Sequence, residues 1–220
     1  MLEINRFIDH TLLKPDATRE AIEQLCSQAR QYNFYSVCIN PGYVPLAAHH
    51  LEGSQVQVCT VVGFPLGATS TASKVFEARQ AVEEGATEID MVLNLGLLKS
   101  GDLEALANDI SQVKEAIGSR VLKVILETGY LSDQEIELAS RIASSAKADF
   151  VKTSTGFGPR GASFHDIHLM KGAIGNDVKI KASGGIRDYE TAIGYLELGV
   201  QRLGTSSGVA IMKEQSDFRK

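Results

Sequence analysis

Eight short apolar runs, each closing on polar residues or glycine, recur along the chain at 7–11, 36–40, 57–64, 88–94, 121–128, 149–156, 178–185 and 202–206. Between most of them lie stretches with apolar residues at three- and four-residue spacing: 19–31, 73–84, 102–117, 132–144 and 189–198. Period-two runs bounded by turn residues read as strands, and the three-and-four spacing reads as amphipathic helix. Thr18 and Ser132 are placed as N-caps, and Gly85, Gly118 and Gly199 as helix stops. Strands alternating with helices eight times in 220 residues predict a (β/α)8 TIM barrel of parallel strands inside a ring of helices. An open doubly wound sheet ordinarily carries a glycine-rich dinucleotide fingerprint after its first strand, and none is present here. Residues 1–220 are expected to form one catalytic barrel domain, since the length suffices for one large core but not for two ordinary ones. The strand at 36–40 is the least marked of the eight.

The formal charge is −5, with both signs spread along the sequence, so no basic stripe exists to bind nucleic acid and no polybasic segment to hold a membrane surface. The N-terminus mixes Glu3, Arg6 and Asp9 into its first ten positions, which is unlike a secretory leader. The expected location is cytoplasmic. Cys26, Cys38 and Cys59 are odd in number and lack metal-site or Cys-x-x-Cys spacing, as expected for reduced structural thiols.

Within a barrel, the residues that do chemistry lie toward the carboxyl ends of strands. Lys152 stands in Asp-Phe-Val-Lys-Thr-Ser-Thr-Gly and Lys181 in Val-Lys-Ile-Lys-Ala-Ser-Gly-Gly, both predicted to be strand interiors. Burial disfavours the charged form of an amine, and a second ammonium nearby disfavours it further, so one lysine of such a pair can act as a neutral nucleophile toward a carbonyl. Asp90, in Glu-Ile-Asp-Met-Val-Leu-Asn, is expected at a similar height to both lysines and completes a proton-transfer group. Each of the three is placed three or four residues before a strand-terminating small residue or turn. Lys123 and Glu127 are expected to share a face of the fifth strand, and Lys179 a face of the seventh with Lys181. Lys123 and Lys179 come early in their strands and are assigned to the barrel floor as structural partners. Asp9 is placed at the end of the first strand, where it would hold a substrate hydroxyl or cap the following turn.

Ser183-Gly184-Gly185-Ile186-Arg187 and Gly204-Thr205-Ser206-Ser207-Gly208 follow the last two strands, where many barrels bind phosphate through backbone N–H groups and a helix N-terminus. A phosphorylated substrate is the resulting expectation. His49 with His50, and His165 with His168, lack a third ligand at metal-site spacing, so metal-dependent chemistry is not expected. Gly63-Phe64-Pro65-Leu66-Gly67 reads as a shaped loop over the barrel mouth or a plain turn.

These motifs together resemble the deoxyribose-phosphate aldolase family: Val-Lys-Thr-Ser-Thr-Gly-Phe at 151–157, Lys-Ala-Ser-Gly-Gly-Ile-Arg at 181–187, Glu-Ile-Asp-Met-Val at 88–92 and Val-Val-Gly-Phe-Pro-Leu-Gly at 61–67. The resemblance runs from Asp9-His10-Thr11-Leu12 to Gly204-Thr205-Ser206-Ser207. It implies a class I aldolase, without metal or cofactor, that interconverts 2-deoxy-D-ribose 5-phosphate with acetaldehyde and D-glyceraldehyde 3-phosphate. It makes Lys152 the Schiff-base nucleophile and Lys181 and Asp90 its proton-transfer partners. Gly184, Gly185, Ser206 and Ser207 would hold the phosphate, with Gly156 and Asp9 completing the substrate set. The partners are a sugar phosphate and aldehydes, and a homodimer or homotetramer is compatible with the resemblance. One departure is the end of the chain, Asp217-Phe218-Arg219-Lys220, where some members carry a terminal tyrosine that assists proton transfer. Two other readings fit parts of the pattern: another Schiff-base aldolase or transaldolase with a ketone donor, and a phosphate-binding barrel isomerase that forms no covalent adduct.

Overall fold

A computed structural model describes residues 3–217. Its eight strands, β1 Ile8–Leu12, β2 Ser36–Ile39, β3 Gln57–Val62, β4 Glu88–Val92, β5 Val121–Ile125, β6 Phe150–Lys152, β7 Lys179–Ser183 and β8 Arg202–Thr205, close in sequence order into a barrel. Every neighbouring pair is parallel, including β1 with β8. All carboxyl ends therefore open on one mouth. The helices are α1 Arg19–Tyr32, α2 Val44–Leu51, α3 Thr71–Glu83, α4 Leu95–Lys99, α5 Leu103–Ile117, α6 Asp133–Ser145, α7 Phe164–Ala173, α8 Tyr189–Glu197 and α9 Gly208–Asp217.

The helix starts follow from local chemistry. Thr18 accepts a hydrogen bond from the Ala21 amide. Ser132 and Glu135 form a reciprocal capping box, with Glu135 Oε2 taking the Ser132 amide at 2.8 Å. Asp102, Ser163 and Asp188 cap α5, α7 and α8 singly, each side chain accepting from the amide three residues on. Among the described residues no helix is long and apolar enough to cross a membrane.

Side chains alternate across the sheet. Ile89 and Met91, Leu122 and Val124, Val151, Ile180 and Ala182, and Leu203 are buried with α-helical residues such as Ile110, Val113, Ile136 and Ile167 in one large apolar layer. Their strand neighbours Glu88, Asp90, Lys123, Lys152, Lys181 and Arg202 are also buried and occupy the other face, inside the barrel. A second, small apolar cluster of Leu13, Cys38, Cys59, Val61 and Phe64 fills the β2–β3 side of that interior.

Four expectations need correction. Asp9 is the second residue of β1, not its end, and is fully buried. It neither caps a turn nor faces the mouth, because two cations hold it inside the barrel. The sixth strand is shorter than its 149–156 run, with Lys152 the last residue of β6. Beyond it the Thr153 hydroxyl takes over the ladder, accepting from the Ser183 amide and donating to the Ser183 carbonyl, each at 3.0 Å. Glu127 leaves the β5 face altogether, since its backbone turns left-handed at φ 54° just past the strand. Lys123 is not a separate floor residue: it lies in register with Asp90 across the β4–β5 pair. Lys179, by contrast, stays exposed at the start of β7, its ammonium 5.7 Å from the Phe150 ring centroid. The C-terminal departure at 218–220 lies outside the described residues.

Candidate active site

Asp90 is the hub of the barrel interior. Its Oδ2 accepts from Lys152 Nζ at 2.8 Å and from Lys181 Nζ at 2.8 Å, and its Oδ1 accepts from Lys123 Nζ at 2.8 Å. The register explains the convergence: Asp90 is level with Lys123, Lys152 with Lys181, and Lys181 with Arg202. Strand tilt in a closed barrel brings these positions to a common centre.

A second tier continues the network. Lys181 Nζ lies 2.5 Å from Asp9 Oδ2, and Lys123 Nζ lies 2.7 Å from Glu88 Oε2. Arg202 bridges both carboxylates, donating to Asp9 Oδ1 and, at 2.5 Å, to Glu88 Oε1. Its guanidinium stacks 3.3 Å from the Tyr35 ring centroid, a cation–π contact that helps a desolvated cation stay put. All seven charged side chains are at most 3% exposed.

Burial alone would raise the Asp90 carboxyl, but the attraction of Lys123, Lys152 and Lys181 overrides it and holds the group well below the usual carboxylate range. Asp9 behaves likewise, with Arg202, Lys181 and Lys123 outweighing its desolvation. Burial would lower Lys181, yet Asp9 and Asp90 keep it above the ordinary lysine value. Lys123 is raised against its own burial by Asp90, Cys59 and Glu88. Asp9, Asp90, Lys123 and Lys181 are therefore ionised around neutrality.

Above this network opens a cleft of about 380 Å³ at the strand ends, lined by Thr11, Lys14, Lys152, Thr155, Gly156 and Phe157 and by the turns 183–187 and 204–206. Lys152 is the one charged member of the interior cluster that reaches it. Gly184 has φ 86°, and a Cβ there would lie 2.8 Å from Gly161 Cα, so the turn after β7 requires glycine. At Gly204 a Cβ would lie 3.1 Å from Lys181 Cε: the bare position is the groove through which the Lys181 stem reaches Asp90. Thr205 Oγ1 donates to the Ile186 carbonyl at 2.6 Å and ties the two turns together.

The expected residues divide accordingly. Lys152, Lys181 and Asp90 meet. Gly156, Gly184, Gly185 and Ser206 line the cleft. Ser207 is outside that lining and gives its amide to Thr205 Oγ1 at 2.9 Å, at the threshold of α9. Asp9 lies beneath, bound to Lys181. Phe64, in the loop after β3, meets Phe157 edge-on at 5.4 Å between centroids, so the 63–67 loop does stand at the mouth. Sequence reasoning passed over Glu88 and Arg202. The signal was present, because Glu88 shares Asp90's face by period two and Arg202 heads an otherwise apolar strand.

Among the described residues, two sets of side chains bring possible metal ligands within 4.8 Å of one another: Cys38, Cys59 and Asp90, and Asp9, Cys59 and Glu88. Both carboxylate sets already face lysine or arginine, whose charges oppose a further cation. No histidine belongs to either set. His165 pairs instead with Asp133 at 2.9 Å.

Comparison with known proteins is consistent across sequence and structure. The profile of the DeoC/LacD family of aldolases matches residues 6–213. A deoxyribose-phosphate aldolase of Streptococcus gordonii is 54% identical over 215 residues, covering 98% of each chain. One from Brevibacillus brevis is 55% identical, covering 96% of each. A tetrameric deoxyribose phosphate aldolase from Aeropyrum pernix superposes with a TM-score of 0.87 at 34% identity, over 98% of this chain and 92% of its own.

Proposed function

The chain belongs to the DeoC/LacD family of aldolases, and we propose that it cleaves 2-deoxy-D-ribose 5-phosphate reversibly to acetaldehyde and D-glyceraldehyde 3-phosphate through an imine on Lys152. The observation that carries this reading is the placement of Lys152: its ammonium opens into the cleft while touching Asp90, which also holds Lys181. An amine nucleophile, a carboxylate that takes protons and a cation that donates them are the components of Schiff-base catalysis.

The steps follow from that arrangement. Lys152, as the free amine, adds to C1 of the open-chain sugar, and the carbinolamine loses water with a proton supplied by the network. The resulting iminium draws the C2–C3 bonding electrons to nitrogen as the C3 hydroxyl gives its proton to the Asp90–Lys181 pair. D-glyceraldehyde 3-phosphate leaves, and Lys152 carries an enamine. Protonation at C2 regenerates an iminium, which water hydrolyses to acetaldehyde and the free amine.

The phosphate is placed against the turns 184–185 and 205–206, where backbone N–H groups and the start of α9 offer positive potential. Lys14 and Arg187, which also line the cleft, add cationic character there. Residues 1–220 act as one catalytic domain in this reading. Assembly into a homo-oligomer belongs to it as well, supported by the tetramer from Aeropyrum pernix, and light scattering tests it.

Borohydride reduction in the presence of acetaldehyde, followed by peptide mass spectrometry, tests the chemistry. An ethyl adduct on Lys152 that needs both reagents is expected. An adduct on Lys123 or Lys181 reassigns the nucleophile, and no adduct in folded protein rejects the imine. Product analysis with acetaldehyde against dihydroxyacetone phosphate as donor separates this activity from ketone-donor aldolases.

A further inference from the structure

The buried cluster holds four cations, Lys123, Lys152, Lys181 and Arg202, against three carboxylates, Asp9, Glu88 and Asp90. With every member ionised, one positive charge is uncompensated. An unbalanced charge in a dry interior is costly, and such groups neutralise in preference to bearing the cost.

The geometry identifies the member that yields. Lys123 lies within 4.0 Å of three carboxylates, and Lys181 and Arg202 each contact two. Lys152 contacts Asp90 alone and is the one that reaches the cleft. Releasing its proton sacrifices the fewest ion pairs and has a route to solvent. We propose that Glu88 and Arg202, although they contact neither the cleft nor Lys152, set the charge balance of the barrel interior so that it closes with Lys152 uncharged. This rests on the assignment of Lys152 as nucleophile and adds two positioning residues to it.

The same balance acts on the intermediates. Imine formation takes up a proton and returns the cluster to a surplus of one positive charge. Cleavage of C2–C3 converts that iminium to a neutral enamine while the C3 hydroxyl proton passes to the Asp90–Lys181 pair, so the surplus moves from the nitrogen to the relay and leaves only when that proton is passed on. The cluster thus favours the free amine, while the bond-breaking step leaves its total charge unchanged.

Other titratable groups around Lys152 bear on the count. On β2 and β3, the hydrogen bond from Cys59 draws the Cys38 thiol below its ordinary value, while burial pushes Cys59 well above it. Past β5, Glu127 is spent on the Thr155 amide and hydroxyl. On β1, His10 is lowered by burial and bonded to Gln28. None of these contacts the ammonium of Lys152 within the network.

The test is the pH dependence of adduct formation, followed by intact mass with acetaldehyde and cyanoborohydride. The rate falls at acid pH as the reacting amine becomes protonated. Arg202→Met removes a cation and shifts this acid limb upward. Glu88→Gln removes an anion while keeping hydrogen-bonding groups, and shifts it downward. Each displacement is about one pH unit, the scale of one charge acting at an effective dielectric of about 20. The double variant restores the surplus of one and returns the limb to its wild-type position, although it disturbs the site most. Arg202→Lys leaves it in place, as does Cys38→Ser.

Equal-direction shifts in the two single variants, or a double variant displaced further than either, would reduce the pair to structural scaffolding and overturn the proposal. A shift in Cys38→Ser would overturn it too, by placing the compensating anion on the thiolate. Should Arg202→Met fail to fold, Glu88→Gln decides alone, with an unmoved limb counting against the pair. Failure of the wild type to form any Lys152 adduct rejects the underlying chemistry instead.

Discussion

The two faces of the barrel sheet solve burial in opposite ways. Outward, Ile89, Leu122, Val124, Val151 and Ile180 meet the helices in a continuous apolar layer, where each buried aliphatic side chain contributes about 1.5–3 kcal/mol. Inward, the alternate residues of the same strands carry seven charges at most 3% exposed. Such an interior is a poor source of stability, because desolvation offsets most of the Coulombic gain. The difference teaches that the outer layer holds the fold, while the inner one gathers Lys152, Lys181 and Asp90 into one ionic network.

Lys152→Met tests the inner face most severely. It removes the nucleophile, so turnover falls by about 10⁴-fold or more and the reduced acetaldehyde adduct disappears, while circular dichroism stays that of the folded barrel. Asp90→Asn should lower kcat/KM by about 10²- to 10⁴-fold, the scale of lost acid–base catalysis. It also strips three lysines of their shared carboxylate, so a fall in denaturation midpoint accompanies the loss. An Asp90→Asn variant with unchanged turnover would remove the aspartate from the mechanism.

The outer face should respond in the reverse sense. Ile89→Ala, one residue from Asp90 but pointing into the helix layer, should cost about 2–5 kcal/mol in urea unfolding and leave kcat per folded molecule close to wild type. A large loss of kcat without loss of stability would break the division between the faces.

Gly184→Ala has a smaller and more selective effect. The added methyl meets Gly161 in a left-handed turn, so KM for the phosphorylated sugar rises several-fold while KM for the unphosphorylated sugar changes little. An equal rise for both would detach this turn from phosphate recognition.

The smallest expected effect is on stability against pH. Asp9 and Asp90 are lowered in the folded state, so their contribution is full above the unfolded value of 3.8 and is lost as pH falls toward their folded values. Lys123 and Lys181 are raised, so theirs is full below the unfolded value of 10.5 and is lost as pH rises through the folded ones. Between these limits the denaturation midpoint should owe no slope to these four groups. A marked slope there would show that one of these four titrates near neutrality.

Much of the architecture was legible in the chain. Period-two runs located all eight strands, β2 included, and spacing with Thr18 and Ser132 located α1 and α6. Helices α2, α4, α7 and α9 were passed over. A proline stands in the first turn of the short α2, and α7 buries only Asp166, Ile167 and Met170, which leaves too thin an apolar stripe to stand out. The glycine turns after β7 and β8 were readable as lining the barrel mouth because their composition is unusual at strand ends. Asp9 and Lys123 were misplaced because position within a strand does not reveal depth in a tilted, closed sheet.

Sequence alone thus determined the element order, the barrel and the presence of lysines in its interior, since periodicity and a charge amid apolar residues are local properties of a chain. Which carboxylate meets which cation was decided by the tertiary structure. Asp9 and Arg202 stand 193 positions apart, and Asp90 and Lys181 stand 91 apart. Closure and strand register bring them within ion-pair distance, and that contact, through the local field it creates, determines the charge each group carries.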